Sequence, residues 1–211
     1  MSAPYLLTVS GLRIDLLSPR PEDVTLPDIA HALARICRYT GHVRGASYSV
    51  AQHSVLVAQY LRDQGHTAGI QAQGLMHDAH EAYTGDMASP IKRAIAAIQN
   101  EDGSLDPADD APGFPWGPPG ARPVQRLSAW QEFEHRHATA VRRRFGLPLE
   151  LAAPVHAADL ALLMAEKRDL MPDDDGPGWP AGAPAGVHVY PLSCNTARGL
   201  FLDEARLLGV V

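Results

Sequence analysis

The residues best suited to chemistry lie in one short run, His77-Asp78-Ala79-His80-Glu81, which continues into Tyr83-Thr84-Gly85-Asp86. Imidazole beside carboxylate suits Mn²⁺, Co²⁺, Fe²⁺ or Zn²⁺ better than the all-oxygen shell that Mg²⁺ and Ca²⁺ prefer. Neighbouring residues on a helix point about 100° apart. His77 and Asp78 can therefore converge only on an ion placed between their two directions. Glu81 falls four residues after His77 and three after Asp78, over the same patch of a helix. A carboxylate there is placed to orient or deprotonate a water on such an ion. Taken alone the His-Asp pair carries little, because a hydrogen-bonded surface pair has the same composition.

Two further residues change its weight. His53 falls on an apolar helical stripe with Val50, Val57 and Tyr60, where a satisfied core histidine is the ordinary reading. Asp159 falls inside a helix of Ala, Leu and Met, and a carboxylate buried there has to be paired or coordinated. Three helices thus each bring an awkward polar residue among apolar neighbours, and one shared cation in a bundle core accounts for all of them. His80 has two readings, a second ligand or proton donor and, more plainly, a partly exposed polar residue. His135 and His137 look ordinary. The run Glu166-Lys167-Arg168-Asp169 reads as a solvated helix face.

The elements that would position these residues are mostly helical. Leu12, Ile14 and Leu16 alternate in a short extended segment. Thr25 and Pro27 open a helix through Ile29 and Leu33, and the polar stretch 35–48, with Gly41 and Gly45, reads as a loop. A second helix starts near Ser49. A third runs from about Ile70 to Tyr83 and stops at Gly85, and a shorter one follows Pro90. Ser128 and Gln131 have capping-box spacing before a helix that ends at Gly146 and Pro148. Further helices cover about Ala153–Leu170 and start again near Ser193. Residues 101–123 are rich in proline and glycine and read as an exposed loop or insertion, and residues 172–192, again rich in both, read as a second insertion. The pattern predicts one all-α domain over residues 1–211, a helical bundle with the site in its core.

Bulk properties narrow the class. The 211 residues are 45% hydrophobic and 20% charged, with no run long enough to span a bilayer and no secretory signal at the N-terminus. A net charge of −6 argues against a protein that coats nucleic acid polymers. Cys37 and Cys194 form neither a disulfide framework nor a C-x-x-C pair, which fits a reducing cytoplasm. Ten histidines are many for this length, so their placement matters more than their number.

The pattern resembles the HD-domain phosphohydrolases, in which a His, a His-Asp pair and a distant Asp lie on separate helices. Here these are His53, His77-Asp78 and Asp159. The branch of bacterial 5′-deoxynucleotidases and phage deoxynucleoside triphosphohydrolases is the most similar. It continues with a Glu, a Thr-Gly-Asp, a Pro and a Lys, matched by Glu81, Thr84-Gly85-Asp86, Pro90 and Lys92. The segment Tyr48–Ser54 is similar to that branch's first-histidine helix. The likeness covers residues 25–95 and the region around Asp159.

The resemblance implies an HD-domain bundle that binds one divalent metal (Mn, Co, Zn, Fe or Mg) through His53, His77, Asp78 and Asp159. Glu81 would activate water, and Asp86 would handle protons or hold the sugar 3′-hydroxyl. An arginine and an aromatic that meet the nucleotide correspond to Arg38 and Tyr39, where the family more often has Trp in the second place. Arg35 and Lys92 are further candidate contacts, although each also reads as a solvated charge. The implied substrate is a deoxynucleoside mono- or triphosphate, dATP included, in a homo-oligomeric enzyme. Two other readings stand beside it: a catalytically silent, metal-stabilised regulatory domain, and a di-iron HD oxygenase, for which His80 is the one spare ligand.

Overall fold

The computed structural model describes residues 3–99, 129–174 and 178–211. Among them the chain is mostly helical, as its periodicity predicts. The capping prediction at Ser128 and the insertion 101–123 lie outside the described residues.

The N-terminal segment forms a small hairpin in which β1 (Tyr5–Leu7) pairs antiparallel with β2 (Arg13–Asp15). Of the alternating residues in this segment, Ile14 is driven into the core. Helix α1 (Leu26–Leu33) begins as expected, with the Thr25 hydroxyl accepting from the Asp28 amide. Asp28 in turn accepts from the Ser10 amide and hydroxyl at 3.1 and 2.6 Å, which ties the hairpin loop to the helix start.

Helix α2 (Val50–Asp63) is capped by Ser49, whose hydroxyl accepts from the Gln52 amide. It is the central element, packed against α3 (Ala68–Met76), α7 (Ala153–Leu170) and α8 (Cys194–Leu207). Val50, Ala51, Val55 and Ala58 join one apolar cluster with Ile29, Leu33, Leu75 and Phe201. Val57 and Leu61 join a second with Val155, Leu162 and Leu170. His53 lies on the helix between these sets. Gly74 lets α3 approach α2 closely, since a Cβ there would meet Leu61 Cδ1 at 2.4 Å and Val57 Cγ1 at 3.2 Å.

The expected single helix over residues 70–83 is corrected. Helix α3 ends at Met76, a turn spans residues 77–80, and a short α4 (Glu81–Thr84) follows. Through the turn the hydrogen bonds run from residue i+3 to i: Ala79 to Met76, Glu81 to Asp78 and Tyr83 to His80. That tighter winding changes the angle between successive side chains from the α-helical one. The stop at Gly85 stands as expected, with φ +80° and its amide on the Glu81 carbonyl.

Helices α5 (Ser89–Gln99) and α6 (Ala129–Arg144) complete the set of eight among the described residues. The segment after α7 is fastened along that helix. The Ala185 amide bonds the Ala161 carbonyl, Gly182 packs on Leu160 and Met164, and Asp169 accepts from the Val189 amide. Gln52 on α2 bonds both the Tyr190 carbonyl and the Leu192 amide. No described helix is long and apolar enough to cross a membrane.

Candidate metal centre

Three elements deliver the ligands: α2 carries His53, the turn after α3 carries His77 and Asp78, and α7 carries Asp159. The imidazoles meet edge to edge, with His53 Nε2 3.3 Å from His77 Nε2. Asp159 Oδ1 lies 3.0 Å from His53 Nε2 and 3.8 Å from His77 Nε2. Asp78 Oδ2 lies 3.1 Å from His77 Nε2 and 3.8 Å from His53 Nε2. His53, His77 and Asp159 can offer ligand atoms that all lie within 4.8 Å of one another, a group able to hold a metal ion. Asp78 flanks that group.

The ring nitrogens that face away from the centre fix what faces it. His77 Nδ1 is 2.7 Å from the Gly74 carbonyl, and His53 Nδ1 is 2.5 Å from Glu166 Oε1. A carbonyl and a carboxylate only accept, so each Nδ1 carries a proton and each Nε2 is turned toward the centre. Two ring nitrogens and two carboxylate oxygens then compete for whatever positive charge lies between them. Burial disfavours a charged His77, yet Asp78 and Asp159 outweigh it and push the imidazole well above its usual range. The histidines likewise hold Asp159 well below the carboxylate range against burial. One proton satisfies two of these four atoms; a divalent cation at the centre of the group satisfies all of them. The donor set fits a metal.

Glu81 is buried, and its Oε2 has no hydrogen-bond partner. Burial first, then the charges of Asp78 and Asp86, push its carboxyl well above the usual range. Asp86 is also raised, by burial against the pull of Arg38. Arg38 reaches the centre from a loop that is closed by the Cys37–Ser49 bridge and the Arg38 amide to Tyr48 carbonyl bond. Its Nη1 is 3.6 Å from Asp78 Oδ2 and its Nε is 3.1 Å from Glu166 Oε2. Tyr39 and Thr40 both adopt left-handed backbone, with φ of 56° and 54°. Such strain in bulky residues costs about 1–3 kcal/mol each and persists where the surroundings enforce it. Here the Tyr39 hydroxyl is anchored at 2.5 Å on Glu166 Oε2.

The remaining predicted site residues divide. Lys92 is 2.8 Å from Glu134 Oε1 on α6, close enough to Glu81 and Asp78 to feel their charge but paired elsewhere. Arg35 is exposed in the turn after α1 and donates back to the His31 carbonyl of that helix, so it is not brought to the centre. His80 is half-buried, and its Nδ1 has no hydrogen-bond partner; burial pushes the imidazole down to about 3.

One sequence reading is overturned. Glu166, read as part of a solvated face, is fully buried and accepts from four donors: His53 Nδ1, the Tyr48 and Tyr39 hydroxyls, and Arg38 Nε. Burial opposes its charge, but Arg38 and then His53 outweigh that and hold the carboxyl at about 2. A signal existed: Glu166 lies seven residues after Asp159 and four after the buried Leu162, on one helical stripe. Trp179, from the proline-rich segment, was also missed; it packs 6.2 Å from the Tyr39 ring, with the Lys167 ammonium 5.0 Å from its own ring.

The chain matches no family model. It is 32% identical over 204 residues to the uncharacterized protein YfdR of Escherichia coli (strain K12), an alignment covering 95% of this chain and 93% of YfdR. It is also 34% identical over 161 residues to an uncharacterized protein of Rhodobacter capsulatus, covering 75% of this chain and 66% of that protein.

Proposed function

This chain belongs to the family of Escherichia coli YfdR, and we propose that it is a metal-dependent phosphohydrolase of the HD-domain type that acts on deoxynucleotides. The observation that carries the reading is the pairing of two inward-facing Nε2 atoms with an unpartnered buried carboxylate oxygen. His53, His77 and Asp159, with Asp78 as fourth ligand, would hold the ion. Its chemistry when bound would be to stabilise charge on a phosphoryl oxygen and to acidify water. A purely structural site has no use for Glu81, whose free Oε2 is available to orient the attacking water and take its proton.

Arg38 supplies the phosphate contact. Its Nε is committed to Glu166, which leaves the outer nitrogens as donors beside Asp78, and a guanidinium fork matches phosphate oxygens. Asp86, raised by burial, suits the sugar hydroxyl or return of a proton to the leaving oxygen. In the reaction the water oxygen bonds to the alpha phosphorus and the bond to the 5′ oxygen breaks. A monophosphate would yield nucleoside and phosphate; a triphosphate would yield nucleoside and triphosphate.

Incubation with each deoxynucleoside mono- and triphosphate in Mn²⁺ or Co²⁺, with products resolved by chromatography, tests this. Release of nucleoside is expected, and Glu81→Gln should lose about 10²-fold or more in rate while it still binds metal. Failure of every panel member to turn over with the metal-loaded chain refutes the proposal.

A further inference from the structure

We infer that Glu166 is the positioning residue of the centre: it locks His53 in the tautomer that presents Nε2 to the ion and holds Arg38 beside Asp78. The His53 half rests on the metal-site reading above, and the Arg38 half on the phosphohydrolase reading.

The argument lies in how the two oxygens are divided. Oε1 accepts from His53 Nδ1 at 2.5 Å and from the Tyr48 hydroxyl at 2.8 Å. Oε2 accepts from the Tyr39 hydroxyl at 2.5 Å and from Arg38 Nε at 3.1 Å. One oxygen thus serves the ligand helix and the other serves the Arg38 loop. Both are out of contact with solvent. A buried carboxylate that accepts from Nδ1 fixes ring orientation, makes the opposite nitrogen a better ligand, and stabilises the charge that a bound cation draws from the ring. Because α7 also carries Asp159 two turns earlier, one helix supplies both a ligand and the group that orients another. The strained Tyr39–Thr40 backbone is anchored on the same carboxylate.

Glu166→Gln separates the two sides. An amide has one acceptor oxygen where the carboxylate has two. The charged Arg38 side takes that oxygen, so the NH₂ falls against His53 Nδ1. His53 must then shift toward the tautomer with its proton on Nε2, which blocks the ion.

The test is titration of Zn²⁺ into the metal-stripped chain, with histidine nitrogens followed by long-range ¹H–¹⁵N correlation. In the wild type, His53 keeps its Nδ1 proton throughout and the zinc-dependent shift falls on Nε2. Glu166→Gln should bind zinc roughly 10–100-fold more weakly and gain the other tautomer. Glu166→Asp, which retains the charge, should recover part of that loss. Tyr39→Phe removes only a donor to Oε2 and should leave zinc affinity within a few-fold of wild type.

Wild-type affinity in a folded Glu166→Gln overturns the inference, as does coordination of wild-type His53 through Nδ1. A loss in Tyr39→Phe as large as in Glu166→Gln also overturns it, because the effect is then a general loosening. If Glu166→Gln does not fold, Glu166→Asp and the wild-type nitrogen assignment decide. A wild-type chain that binds no zinc overturns the metal reading itself, and binding without nucleotide turnover leaves the His53 half standing while the phosphohydrolase reading falls.

Discussion

Gly74→Ala should loosen the metal centre more than it loosens the fold. A methyl at this position would lie 2.4 Å from Leu61 Cδ1 and 3.2 Å from Val57 Cγ1. Carbon atoms prefer about 3.5–4.0 Å, so the nearer contact is roughly 1 Å or more too short. Leu61 is 1% exposed and Val57 is fully buried, so neither can swing into solvent. The helices must part or Leu61 must leave its rotamer, at about 1–3 kcal/mol for overpacking. Against this, alanine is favoured over glycine inside a helix by about 0.5–1 kcal/mol. The clash wins, with a net loss of about 1–2 kcal/mol, or roughly 2–8 °C in Tm for a chain of this size.

The centre should suffer beyond that figure because the Gly74 carbonyl is the acceptor for His77 Nδ1 at 2.7 Å. Parting α3 from α2 carries His77 away from His53. Calorimetric melting and zinc titration of the metal-stripped variant measure the two effects, and Leu61→Ala in the same background should relieve the clash. A Gly74→Ala chain that melts at or above the wild-type temperature refutes the packing argument. So does one whose zinc affinity is unchanged.

Three further outcomes follow from other contacts. A divalent ion at about 100 times its Kd should stabilise the native chain by about 2.7 kcal/mol, a rise of roughly 5–10 °C, and Asp159→Asn should lose most of that rise in a thermal-shift assay. Asp28 is held below its ordinary range because hydrogen bonds from Ser10 and Thr25 outweigh burial, which acts the other way. Its contribution is therefore full above about pH 4, the unfolded carboxylate value, and fades as pH falls toward the lowered native one; the stability gap between wild type and Asp28→Asn should shrink below pH 4, and a gap that widens there contradicts the assignment. Lys92→Met should destabilise by about 1–3 kcal/mol in denaturant titration, because it leaves the buried Glu134 carboxylate without its ammonium partner.

What could be read in the sequence was local chemistry. Thr25, Ser49 and Ser193 cap helices with their own hydroxyls, and Gly85 ends one with a positive φ, so these boundaries follow from a few adjacent residues. The break at residues 77–80 was hidden because a tighter turn leaves the order of apolar residues almost unchanged while it moves each side chain. Composition told that the described residues of 172–192 are not helical. It carried no information on their docking along α7, which depends on backbone bonds such as Ala185 to Ala161. Glu166 was misread for a different reason: its neighbours Lys167 and Arg168 made a charged run, and charge outweighed the stripe that Asp159 and Leu162 define.

That misreading shows what holds a polar centre between two apolar clusters. An isolated imidazole or carboxylate there would cost several kcal/mol, and the cost is avoided only if every buried polar atom finds a partner. The chain of contacts runs from the Gly74 carbonyl through His77, across the centre to His53, and on through Glu166 to Arg38, Tyr39 and Tyr48. Each link outside the centre is a donor matched to an acceptor. At the centre itself acceptors face one another, with His77 Nε2 and His53 Nε2 3.3 Å apart and Asp159 and Asp78 beside them. A core selected for stability alone would fill this space with apolar side chains. The mismatch in this chain of contacts falls where it crosses between the two histidines, with the links on either side satisfied, and that is the arrangement expected of residues held ready for a cation.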